Sequence, residues 1–164
     1  MNIIKGFMTT FKHVLEEPVT LQYPEQVKDF EKRYKGRHHL RRYDNGLEKC
    51  IGCSLCAAAC PADAIWVEAA ENSDEERYSP GERYAKTYEI NMLRCIFCGY
   101  CEDACPTQAI QLGHEHQLSF TDRRDAIYIK DMLIDAPADG QEATPRQVEA
   151  GVYTQSIPNM EDPS

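Results

Sequence analysis

The chain has 164 residues, with 18 Lys and Arg against 27 Asp and Glu, a formal charge of −9. That acidic balance argues against nucleic acid as a partner of the chain as a whole, and no apolar run approaches the ~18 residues of a membrane-spanning helix. With no signal-peptide pattern, eight cysteines point to a reducing interior and away from a disulfide-built secreted scaffold. The charge is unevenly spread. Residues 1–49 hold 10 basic and 7 acidic side chains and residues 50–164 hold 8 and 20, so a basic front and an acidic back anticipate different neighbours.

Taken in order, residues 2–15 read as an amphipathic helix. Ile3, Ile4, Phe7, Met8, Phe11, Val14 and Leu15 recur at helical spacing, Lys5, Lys12 and His13 lie off that stripe, and Pro18 stops it. A helix docked on partner subunits beside a membrane, a core helix and a cleaved targeting peptide all share this pattern. Docking is favoured because the rest of the chain is too small to need an extra helix. Residues 16–36 read as an extended arm with a short helix near Gln26–Tyr34. Arg33, Lys35, Arg37, His38, His39, Arg41 and Arg42 then form a basic cluster. It is either a solvated strand and turn or a contact with an acidic partner surface; no stacking platform for nucleic acid accompanies it.

His38–Tyr43 reads as a first strand, and Asn45-Gly46 as the turn leading to Cys50-Ile51-Gly52-Cys53-Ser54-Leu55-Cys56-Ala57-Ala58-Ala59-Cys60-Pro61. Ala64–Glu68 is expected to pair with that strand. An acidic loop, Ala70–Gly81, separates it from a third strand at Lys86–Ile90. A second run follows, Cys95-Ile96-Phe97-Cys98-Gly99-Tyr100-Cys101-Glu102-Asp103-Ala104-Cys105-Pro106, and Ala109–Leu112 is expected to pair with the third strand. Short helices are expected at Leu55–Cys60 and Tyr100–Cys105. Ser119-x-x-Asp122 looks like a capping box opening a covering helix over Asp122–Leu133. His114 and His116 read as surface loop residues. From Ala136 the Pro-, Gly-, Gln- and acid-rich tail has little to bury and is expected to be disordered alone.

Both runs are C-x₂-C-x₂-C-x₃-C-P, the spacing that holds a [4Fe–4S] cluster in two-cluster ferredoxins, and no cysteine lies outside them. Three thiolates at intervals of three fit a curled loop around one cubane. In this motif the fourth ligates the other cluster, which assigns Cys50, Cys53, Cys56 and Cys105 to one cubane and Cys95, Cys98, Cys101 and Cys60 to the second. Gly52, Ser54 and Gly99 leave room for backbone N–H groups near the sulfurs, and Phe97 and Tyr100 are expected to shield the second cluster. Zinc sites more often use two separated pairs. Ala64-Ile65 and Ala109-Ile110 sit at matching offsets, so the repeat extends past the ligands. The expected fold is α+β: a duplicated core of two pseudo-symmetric β-α-β-like halves with long terminal extensions. Its expected divisions are an N-terminal helix and arm over 1–36, the two-cluster domain over 37–113, a covering helix over 114–135 and a tail over 136–164. No G-x-G-x-x-G, P-loop or H-E-x-x-H occurs, so no direct binding of NADH or flavin is expected.

The arm Pro18-Val19-Thr20-Leu21-Gln22-Tyr23-Pro24, Gly36-Arg37-His38 with Leu40-Arg41-Arg42-Tyr43, and Tyr88-Glu89-Ile90-Asn91 through Glu102 resemble subunit I of bacterial type I NADH:quinone oxidoreductase, respiratory complex I. The resemblance covers roughly residues 1–135 and implies a relay subunit with two [4Fe–4S] clusters, between the NADH/flavin end and the terminal cluster near quinone. Its implied partners are other peripheral-arm iron–sulfur subunits and the membrane-arm junction, on the cytoplasmic side of the plasma membrane. Residues 1–17 would make peripheral membrane contact. Thr107-Gln108 departs from the family's more usual small residue and Asp. A ferredoxin-like subunit of a membrane hydrogenase or formate-linked complex, and a free eight-iron ferredoxin, share the core.

Overall fold

The computed structural model describes residues 3–140, 144 and 145. Most of the tail for which disorder is expected lies outside them. The chain divides into two compact units, Met1–Lys32 and Arg33–Ser164.

In the first unit, the apolar stripe forms helix α1, Ile3–Val14, as its spacing predicts. No residue of α1 is buried, and Ile4, Phe7, Phe11 and Leu15 are all at least 63% exposed. That is no core helix. Among the described residues no helix is long and apolar enough to cross a membrane. The short helix expected near Gln26–Tyr34 does not form; those residues take turns and irregular backbone. Val27, Phe30 and Tyr34 alone lie at helical spacing there, too short a stripe to drive a helix.

Among its described residues the second unit has five strands, β1 (His38–Leu40), β2 (Ile65–Glu71), β3 (Arg83–Asn91), β4 (Ile110–Leu112) and β5 (Ile127–Ile129). They make two antiparallel sheets, β1-β4 and β2-β3-β5. The expected pairing within each half is therefore corrected. β1 pairs with β4, Leu40 opposite Ile110, and β2 pairs with β3, Ile65 opposite Ile90. Each cysteine loop carries the chain across the molecule, so the strand that leaves it lies beside the strand entering the other loop. Both strands of the resulting β2–β3 hairpin are longer than the Ala64–Glu68 and Lys86–Ile90 expected. Its loop is tied by the Asn72 side-chain amide, which donates to Ser79 Oγ at 2.8 Å and to the Gly81 carbonyl at 2.7 Å.

A register shift between Glu68 and Ala69 leaves Lys86 as the extra residue of β3. Strict alternation could not bury both Ala85 and Tyr88; the bulge resets the faces, and both are buried. They join Leu40, Ile90, Ile110 and Leu133 in the core between the sheets. Each such large apolar side chain contributes about 1.5–3 kcal/mol on burial.

The covering helix expected at Asp122–Leu133 is likewise corrected. Ile127-Tyr128-Ile129 pairs with the free edge of β3 as β5, and only Lys130–Leu133 is helical (α4). β-branched and aromatic residues suit a half-buried edge strand; Tyr128 faces in while its neighbours face out. Asp122 does not cap a helix. Its carboxylate accepts from the Arg124 backbone N–H at 2.8 Å in a local turn. After α4 the chain returns to β1, where Asp135 N donates to the Leu40 carbonyl at 2.9 Å. Lys130 ties this segment to the start of the first cysteine loop, its Nζ lying 2.7 Å from Glu48 Oε2 and 2.8 Å from the Ala85 carbonyl.

Candidate iron–sulfur centre

Asn45-Gly46 makes the predicted turn: Gly46 has φ 83°, and Leu47 N donates to Asn45 Oδ1 at 3.0 Å. The first cysteine loop follows. Its backbone curls through positive φ at Gly52 (65°) and Ser54 (60°) before the single turn α2, Leu55–Ala58. The second loop curls through Phe97 (54°) and Gly99 (84°) before α3, Tyr100–Asp103. Both short helices appear at the expected places, two residues shorter than expected. Glycine meets a left-handed turn without penalty, whereas Ser54 and Phe97 bear a cost of about 1–2 kcal/mol each.

These turns gather the eight free thiols into two groups. Cys50, Cys53, Cys56 and Cys105 line one cavity with Tyr88, Val67 and Ile110. Cys105 belongs to the second run, so the fourth cysteine has crossed. In the other group the thiols of Cys60 and Cys98 act on Cys95, and those of Cys95 and Cys98 act on Cys101. Cys60 comes from the first run, so it has crossed too. Cys56 of the first group acts electrostatically on Cys101 of the second; both are buried, whereas Cys53 is exposed. Among the described residues no three His, Cys, Asp or Glu side chains converge on a point that one metal ion could occupy.

Burial acts against free thiolates here. It raises Cys56 and Cys95, and it takes Cys50 and Cys101 up to about 12, aided by neighbouring cysteines and opposed by backbone N–H groups. Cys105 is the exception. Burial raises it, but N–H groups of Ile110, Ala109 and Thr107 together with the Thr107 hydroxyl outweigh that and lower it. The matching contact exists at Cys60, whose sulfur accepts from Ala64 N at 3.4 Å, against 3.2 Å from Ala109 N at Cys105. At Cys95 the Phe97 backbone N–H donates to the sulfur at 3.4 Å. A cation bound to the sulfurs is the ready means of keeping such thiols deprotonated in a dry site.

Besides Thr107 at Cys105, two side chains that the sequence does not mark out contact the thiols. Tyr88 Oη lies 3.3 Å from Cys56 Sγ, and His38 Nε2 lies 3.8 Å from Cys95 Sγ. His38 reads from the sequence as one member of a basic cluster; burial first, and His39 beside it, lower its pKa to about 4, so it is neutral. Arg37 and Arg41 do behave as surface cations, paired with Glu115 and Asp135 at 3.1 Å each. Tyr100 is 57% exposed. Phe97 packs against His38, ring centroids 5.7 Å apart.

Residues 49–109 match the family model for the 4Fe-4S dicluster domain. Among solved structures, the chain is similar to one in the membrane-bound sulfane sulfur reductase, an archaeal respiratory membrane complex. The two are 30% identical over a match that covers 72% of this chain and 56% of that one, with a TM-score of 0.48. The present chain thus spans a little over half the length of that relative. The fold is α+β, helix and sheet mixed around a 4Fe–4S dicluster ferredoxin domain.

Proposed function

We propose that this chain is an electron-relay subunit holding two [4Fe–4S] clusters, one on Cys50, Cys53, Cys56 and Cys105 and the other on Cys95, Cys98, Cys101 and Cys60. The observation that carries this reading is the exchange of fourth cysteines between runs, which brings Cys105 into the cavity of Cys50, Cys53 and Cys56. The donor set fits: thiols alone, four to a group, with backbone N–H groups aimed at their sulfurs. Bound clusters supply one-electron transfer. The chain's own residues fix spacing, exclude water and tune charge. Tyr88, Leu40 and Ile110 line the first group's cavity, and the packing of α2 on α3, which carry Cys56 and Cys101, sets the two groups side by side.

The relay belongs, in this reading, to a respiratory membrane complex, and more narrowly to a type I NADH:quinone oxidoreductase on the cytoplasmic side of the bacterial plasma membrane. Support comes from the N-terminal arm's resemblance to that family and from the wholly exposed apolar face of α1. Residues 1–17 would rest against the membrane or the membrane-arm junction, and other iron–sulfur subunits would deliver and accept electrons. NADH and flavin are bound elsewhere in the complex.

Anaerobic purification tests the clusters: about eight irons and eight sulfides per chain are expected, and about four, or no reducible iron–sulfur signal, overturns the reading. Deleting residues 1–17 tests the complex. Loss of membrane association and of NADH:quinone activity with clusters intact is expected; a truncated chain that keeps both is a free carrier.

A further inference from the structure

The crossed sheets decide which residues of the two halves are equivalent. Ile110 and Leu112 stand in the second half where Ile65 and Val67 stand in the first, at the offset separating Cys95 from Cys50. Val67 faces Tyr88 and Ile65 faces Ile90, while Leu112 faces His38 and Ile110 faces Leu40. His38 is therefore the counterpart of Tyr88. Both are closed off from solvent, at 2% and 1% exposure, and each ends on a cysteine of the opposite half, Cys95 and Cys56 respectively.

A buried hydroxyl is costly without a partner, and a Phe would fill the core as well as Tyr88 does. The partner is Cys56 Sγ. A sulfur that holds iron carries no proton, so the tyrosine donates. For His38, Nδ1 has no hydrogen-bond partner. A proton there would be a buried orphan donor; on Nε2 it faces the Cys95 sulfur.

We propose that Tyr88 and His38 are matched positioning residues that set the two clusters at different reduction potentials, each by donating a hydrogen bond to one cysteine sulfur. The inference rests on the reading that these cysteines hold two clusters. Reduction adds negative charge, and an O–H or N–H dipole aimed at the sulfur stabilises that charge and raises the potential. The hydroxyl at 3.3 Å acts more strongly than the imidazole at 3.8 Å. The cluster on Cys50, Cys53, Cys56 and Cys105 accordingly has the higher potential.

EPR-monitored redox titration of the anaerobically purified full chain, with iron and sulfide assayed for every variant, tests this. Tyr88→Phe is expected to lower one potential alone, cutting that cluster's reduced-to-oxidised ratio at fixed potential about tenfold, equivalent to 59 mV for one electron. His38→Phe is expected to lower the other alone and by less, and His38→Gln, which retains an N–H donor, to fall between it and the native chain. Potentials that stay put, or that move together in each variant, overturn the proposal. Should a variant lose its iron, proton ENDOR of the native chain in H₂O and D₂O decides instead. An exchangeable proton coupled to each cluster is expected, and its absence at either overturns the proposal. A native chain that fails to bind about eight irons sinks the cluster reading itself and is told apart by the iron assay.

Discussion

Gly52 and Phe97 hold matching places in the two cysteine runs, and both have positive φ, 65° and 54°. Ser54 and Gly99 match in the same way, at 60° and 84°, as do Asp63 and Gln108, at 46° and 50°. The repeated feature is thus the path of the backbone, while the side chains have diverged around it. Glycine appears once in each of the first two pairs and on opposite sides. Where it is absent, the half carries the strain and gains something else: Phe97 gains its ring contact with His38. Where glycine is present, a neighbour occupies the space a Cβ would need. A Cβ on Gly52 would stand 2.8 Å from Ala69 Cβ and 2.9 Å from the Tyr84 carbonyl, whereas on Gly99 it would meet only the flexible end of Lys35. The first loop is wedged against its hairpin and the second is covered by a movable side chain.

The largest expected effect breaks the symmetry at the fourth cysteines. Cys105→Ser should deplete the cluster of the first run, and Cys60→Ser that of the second; iron content near half, with the opposite EPR signal missing in each variant, is the expected outcome. Loss of the signal from the variant's own run would show uncrossed ligation. Next come the glycines. Gly52→Ala combines overpacking with a left-handed alanine and should cost about 3 kcal/mol, against about 1 kcal/mol for Gly99→Ala. Anaerobic thermal unfolding checks the order, and equal losses would show that the two loops are packed alike.

A smaller effect runs the other way. Ser54→Gly removes the strain at its left-handed turn and should stabilise by about 1 kcal/mol, read as a higher unfolding midpoint. The smallest concerns Thr107, whose hydroxyl lies 3.6 Å from Cys105 Sγ; the first half has Ala62 at that place. Thr107→Ala should keep full iron and lower the potential of the cluster on Cys105 by less than Tyr88→Phe does. A larger shift than that of Tyr88→Phe would reverse the ranking of the two donors.

The thiol groups were legible because their spacing is local: three cysteines at intervals of three constrain a loop wherever it sits. Helix α1 was legible for the same reason, through its apolar period. Strand partnership was not, since nothing in His38–Leu40 distinguishes Ala64–Glu68 from Ile110–Leu112 as a neighbour; both are short apolar segments following a cysteine run. Ile127-Tyr128-Ile129 fitted a helical stripe as well as an edge strand, and the free edge of β3 decided between them. His38 and Tyr88 escaped notice because their equivalence lies in sheet register. His38 lies 12 residues before Cys50 and Tyr88 only 7 before Cys95, so no constant sequence offset relates them.

The exchange of strands has a bearing on origins. A polypeptide carrying only one of these runs would own one strand of each sheet and, under the proposed ligation, three of the four sulfurs of one cube and a single sulfur of the other. It could complete both only by embracing a second copy of itself. The duplication therefore need not have invented a new architecture; joining two such copies end to end turns a concentration-dependent dimer into a single chain that assembles alone.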